Sequence, residues 1–122
     1  MTGAGKPAGL AVALAVAGAT ATVLVGGASA KPGPKKVKVG DNFFLPAKPT
    51  VAKGTTISWR WLGGNGETHD VLLVRKPKGV KKFQSAPAAT EYTFRRKLTK
   101  PGKYFLVCTY HEEMTMNIKV KG

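Results

Sequence analysis

From residue 36 onward, apolar and polar side chains alternate in short runs. Val37 and Val39 point one way while Lys36 and Lys38 point the other, and Ile57, Trp59 and Trp61 alternate with Ser58 and Arg60. Tyr92 and Phe94 alternate with Thr93 and Arg95. Tyr104, Leu106 and Cys108 share one face, and Met114, Met116, Ile118 and Val120 share another. Successive side chains of an extended chain point to opposite faces, so each run predicts a short strand. Val71 and Leu73 oppose Leu72 and Val74, which are also apolar, so this strand is expected to be covered on both sides. Turn signals separate the runs at Ala52-Lys-Gly54, Gly63-Gly-Asn-Gly66, Pro77-Lys-Gly79, Ser85-Ala-Pro87 and Lys100-Pro-Gly102. No stretch after residue 30 sustains a 3.6-residue period for three turns. The pattern predicts an all-β protein, a Greek-key β-sandwich of about seven to eight strands, with no internal repeat and no second folded domain.

The first thirty residues differ. Lys6 is their only charged side chain; an apolar, small-residue run from Leu10 to Val25 follows, and Ala28-Ser29-Ala30 supplies a small-x-small end. A basic start, an apolar middle and a small-residue end read as a secretory signal. The alternative is a retained membrane anchor, for which the run is short and rich in alanine. The expected organisation is therefore residues 1–30 as a signal cleaved near Ala30, residues 31–36 as a basic, Pro-rich leader, and residues 37–122 as the domain. The expected location is outside the cytoplasm, in the periplasm, outside the cell or at the cell envelope.

Composition removes several classes of function. The 122 residues include one Cys and two His. One cysteine permits no internal disulfide, no cysteine-rich zinc module and no thiol pair for exchange. Two imidazoles are too few for a multi-metal oxidase centre. Export makes disulfides possible, so the lone Cys108 calls for another role. In Cys108-Thr-Tyr-His111-Glu-Glu-Met114 a thiol, an imidazole and a thioether recur at three-residue steps between two predicted strands. Soft sulfur with imidazole suits copper: two His and one Cys in a trigonal set with a weak axial Met form a blue-copper site. His69, just after the glycine-rich loop, is the only other imidazole. Each residue has a plainer reading when taken alone. A single cysteine on an apolar face is usually a small buried hydrophobe, a loop histidine is usually a surface residue, and methionines usually fill cores. Their joint spacing favours the metal.

Beyond this chemistry, the chain resembles a family. Asp41-Asn-Phe-Phe-Leu-Pro46, Val51-Ala-Lys-Gly-Thr-Thr-Ile-Ser-Trp59, Thr68-His-Asp-Val71, Phe83-Gln-Ser85, Tyr92-Thr-Phe94, Pro101-Gly-Lys-Tyr104 and the Cys108–Met114 loop occur in the order seen in cupredoxins. The likeness is to small blue-copper proteins of the plastocyanin, pseudoazurin and amicyanin group, and the short loop spacing resembles amicyanin-like members most. The resemblance implies one copper ion per chain, with His69, Cys108 and His111 as equatorial ligands and Met114 axial. It implies that Asp70 braces Thr109, and that His111, Tyr110, Leu45 and Pro46 form the port through which electrons leave. Asp70 stands where many relatives carry a neutral residue, Met116 where they often carry Gly, and Glu112 and Glu113 place acid beside a port that is usually apolar. His69 is expected to be the buried imidazole, ordered by a backbone partner.

Charge adds the expected partners. Twenty Lys and Arg against six Asp and Glu give a net charge of +14. Lys76, Lys78, Lys81 and Lys82 form one cluster, and Arg95, Arg96 and Lys97 another. Such charge steers association, so redox partners with an acidic docking surface and weak attraction to an anionic membrane are expected. Nucleic acid is not, because no recognition helix is predicted and the chain is exported. The function expected is that of a monomeric, exported electron carrier cycling Cu(II) and Cu(I). A copper storage or delivery protein is the alternative, and with four positions filled no place remains for a substrate, so no enzyme is expected.

Overall fold

The computed structural model describes residues 32–122. The secretory reading of residues 1–30 lies outside the described residues. Among the described residues eight strands form: β1 Lys35–Gly40, β2 Phe43–Leu45, β3 Thr50–Ala52, β4 Thr55–Trp61, β5 Leu72–Arg75, β6 Thr93–Leu98, β7 Gly102–Val107 and β8 Thr115–Lys121. They build two four-stranded sheets, β2-β1-β4-β6 and β3-β8-β7-β5. Among the described residues there is no helix.

The alternation read from the sequence fixes which side of each strand turns inward. Val37, Val39, Ile57, Trp59 and Trp61 are buried on one sheet, and Tyr104, Leu106, Met116, Ile118 and Val120 on the other. Full burial of each large apolar side chain contributes about 1.5–3 kcal/mol. The two layers are also joined by a polar contact: the Trp59 indole N–H donates to the Met116 thioether at 3.4 Å. Met116 is fully buried, so a side chain fills the core at this point.

Two local readings change. β1 begins at Lys35, inside the stretch expected to be leader, because Lys35 and Lys36 pair in parallel with Ile57 and Ser58. A basic, Pro-rich segment gives no local sign of that partner. The strand expected to be covered on both sides is covered on one. Val71 and Leu73 are fully buried, whereas Val74 is 40% exposed. β5 is an edge strand, and its pairing with β7 shifts register between Leu73 and Arg75. The bulge turns the outer residues to solvent.

Candidate metal centre

The centre is built where loops join the ends of the two sheets. The glycine-rich turn that precedes His69 is tied down by Asn65, whose amide donates to the carbonyls of Val39 at 2.9 Å and Ala89 at 3.0 Å. His69 then pairs with Ala88: its N–H donates at 2.9 Å, and its carbonyl accepts from Ala88 at 3.0 Å. The same carbonyl accepts the Trp61 indole N–H at 3.1 Å. This anchored backbone holds an imidazole with no exposed surface. Cys108 follows β7, and its N–H donates to the Met114 carbonyl at 2.9 Å, while the Met114 N–H donates to the His111 carbonyl at 3.0 Å. These two bonds close the loop on itself and bring the backbone of Met114 back beside Cys108 and His111.

There the donor atoms meet. One ligand atom each from His69, Cys108 and His111 lies within 4.8 Å of the others. The two Nδ1 atoms are 3.2 Å apart, and the thiol sulfur is 3.6 Å from Nδ1 of His111 and 4.0 Å from Nδ1 of His69. Metal bonds of about 2 Å to nitrogen and about 2.3 Å to sulfur, at angles near tetrahedral or trigonal, separate such donors by roughly 3.2–3.9 Å. The gaps are therefore the size of one ion. Met114, also buried, lines the same surface depression as His111.

The outer nitrogens settle the chemistry further. Nε2 of His69 is 2.8 Å from Oδ1 of Asp41, and Nε2 of His111 is 2.7 Å from Oε1 of Glu67. An ionised carboxylate only accepts hydrogen bonds, so each Nε2 bears the proton, and in a neutral ring Nδ1 is then a bare lone pair. Once the thiol proton is lost, two lone pairs and a sulfur face one gap with no donor among them. A cation completes it, and the donor set is the one soft metals prefer. The His69 partner is thus a carboxylate and not the expected backbone group. The reason is the β1–β2 turn, where Asn42 takes φ of 70° and Asp41 also accepts the N–H groups of Gly66 at 2.9 Å and Glu67 at 3.2 Å. The Gly66 N–H, then the His69 ring, hold the Asp41 carboxyl below the usual carboxylate range.

Asp70 occupies the expected bracing position. Its Oδ1 accepts the Thr109 N–H at 2.7 Å, and its Oδ2 accepts the Thr109 hydroxyl at 2.7 Å and the Gln84 amide at 3.0 Å. Thr109 follows Cys108, so a buried carboxylate fixes the start of the loop. Asp41, Glu67 and Gln84 were not singled out from the sequence; acids before or within a turn are too common to mark them, and only proximity in space reveals the pairing.

The depression at the surface is lined by Asn42, Tyr110, His111, Glu112, Glu113 and Met114. Tyr110 is 53% exposed, as a contact residue requires. Leu45 and Pro46 do not line it: Leu45 sits on β2 opposite Lys38. Phe44 is buried core, whereas Phe43 is exposed. With Glu67 on His111 and Glu112 and Glu113 on the rim, this depression is acidic.

Comparison with known proteins agrees with this chemistry. The sequence model for copper-binding proteins of the plastocyanin/azurin family matches residues 34–121. Halocyanin of Natronomonas pharaonis is 35% identical over 80 residues, 63% of this chain and 47% of that protein. The chain thus spans about half the length of that relative. Among solved structures, a copper-containing nitrite reductase from Thermus scotoductus SA-01 aligns with a TM-score of 0.63 at 25% identity, over 73% of this chain and 22% of that one. A reduced amicyanin variant aligns with a TM-score of 0.64 at 20% identity, over 72% and 82% of the two chains. His69, Cys108, His111 and Met114 are positioned to bind one copper ion.

Proposed function

The chain belongs to the plastocyanin/azurin family of copper-binding proteins, and from that premise we propose that it is an exported carrier of single electrons between redox partners. The observation that carries this reading is the buried sulfur and imidazole donor set of which only His111 reaches the surface, its side chain 24% exposed. Copper held there supplies a one-electron couple. The protein's own residues do the rest. Cys108 gives up its thiol proton and, with His69, His111 and Met114, forms the ligand set. Asp41 and Glu67 hold both rings with Nδ1 inward, and Asp70 fixes the loop, so the donors have little room to rearrange when the charge of the site changes. His111 offers its ring edge, with Tyr110 beside it, as the exit for the electron.

This reading makes the chain a carrier and not an enzyme, because the four side chains leave no position for a substrate. It acts as a monomer outside the cytoplasm, consistent with the apolar run and small-residue end before residue 31. The acidic rim supports a neutral or basic partner surface around His111, with acidic or anionic surfaces drawn to the cationic strands instead. Storage or delivery of copper is the competing function. Titration of metal-free protein with Cu(II) separates them. Stoichiometric uptake with an intense blue colour that bleaches with ascorbate and returns with ferricyanide is expected, and Cys108→Ser should lose the colour. Colourless stoichiometric binding would move the assignment to storage or delivery.

A further inference from the structure

The charge of this molecule is sorted by position. All six carboxylates, Asp41, Glu67, Asp70, Glu91, Glu112 and Glu113, lie in loops and none in a strand. Asp41, Glu67 and Asp70 bond to the metal centre or its loop, and Glu112 and Glu113 rim the port. The outward face of the β2-β1-β4-β6 sheet is the opposite case. Strand pairing sets Lys36 beside Ser58 and Lys38 beside Arg60. It continues with Ser58 beside Arg95 and Thr56 beside Lys97. Lys36, Lys38, Arg60, Arg95 and Lys97 are all exposed. Among the described residues the carboxylate contacts at ion-pair distance are made by His69 and His111, so none of these five cations is paired. At the edge of the same face, Leu45 lies opposite Lys38 and Phe43 opposite Gly40. They are 55% and 42% exposed, two of the few large apolar side chains left open to water.

We propose that this sheet face docks on an anionic lipid bilayer. Five unpaired cations on neighbouring strands match a layer of acidic headgroups, each adding attraction that decays within a Debye length. The apolar pair argues for lipid over a soluble polyanion, because Phe43 and Leu45 can enter the headgroup boundary and have nothing to gain from a water-borne phosphate chain. Docked this way, the protein keeps His111 off the membrane, since the metal centre sits at the strand ends and not on the face. The proposal does not depend on the metal.

The test uses the full chain and sedimentation with vesicles of phosphatidylcholine alone or with phosphatidylglycerol, in about 0.1 M salt. Binding is expected only with the anionic lipid. The triple change Lys36→Gln, Arg60→Gln, Arg95→Gln should weaken it about a hundredfold, roughly fivefold per charge. Lys103→Gln, Lys119→Gln, Lys121→Gln on the other sheet removes equal charge about 10 Å farther from the bilayer, beyond most of the screened field, and should weaken it less than about threefold. Leu45→Ser should weaken vesicle binding several-fold while leaving affinity for inorganic polyphosphate unchanged. Equal loss in both triple variants would overturn the proposal in favour of bulk charge. Equal binding to neutral vesicles would assign the attachment to the apolar run, and polyphosphate binding tighter than vesicle binding would assign the face to a polyanion. Thermal melting of each variant checks that it is folded.

Discussion

Asp70 offers a close test of how the loop is held. Its carboxylate is 2% exposed and accepts three hydrogen bonds, two from Thr109 at 2.7 Å and one from Gln84 at 3.0 Å. Bonds to a charged acceptor contribute about 1.5–3 kcal/mol each, and several kcal/mol of desolvation oppose them, which leaves roughly 2–3 kcal/mol. Asp70→Ala removes all three acceptors, but Thr109 and Gln84 are exposed and water can reach them, so a loss of about 2–4 kcal/mol is expected. Asp70→Asn keeps an acceptor for the Thr109 N–H, and the Thr109 hydroxyl can turn to accept from the new amide; about 1–2 kcal/mol is expected. The charge has a second effect. It is held beside the residue that follows Cys108, where a negative charge favours the oxidised ion over the reduced one, so the midpoint potential of the Asn variant should rise. Urea unfolding of the metal-free proteins reads the first quantity, and voltammetry of the copper-loaded proteins the second. If both variants unfold with the parent and the midpoint stays or falls, the bracing role and the electrostatic argument are both wrong.

Other changes isolate other parts of the structure. Met116→Leu preserves volume but strands the buried Trp59 N–H that now bonds the thioether at 3.4 Å; a cost of about 1–3 kcal/mol, above the usual figure for a Met-to-Leu swap, should appear in chemical denaturation. Asp41 titrates below the ordinary carboxylate value. Its ties to Gly66, Glu67 and His69 therefore stabilise the fold at neutral pH and are lost as pH falls below the unfolded value toward the folded one. Melting curves of the parent and Asp41→Asn should differ at pH 7 and converge in strong acid; a constant gap would refute this. Copper retention should weaken in acid as protons compete for imidazole and thiolate, and equal retention near pH 4 and pH 8 would count against the ligand set.

Sequence alone determined the all-β class, the inward face of most strands, and the sulfur–imidazole–thioether loop. Those features are local: alternation fixes the face of an extended chain whatever its partner, and a loop of seven residues between strands brings its ends together without outside help. Even the second imidazole was legible, because only one other histidine exists. The tertiary structure decided what depends on partners distant in the chain. Parallel pairing of Lys35–Val39 with Ile57–Trp61 drew two residues of the expected leader into a strand. The edge position and bulge of β5 left Val74 in water. Asp41 and Glu67 became imidazole partners only because the turn after β1, the glycine-rich loop and the copper-binding loop converge at one end of the two sheets. The sorting of charge into an acidic port and a basic sheet arose in the same way, since net charge is additive along a chain while its distribution over a surface is set by which strands lie side by side.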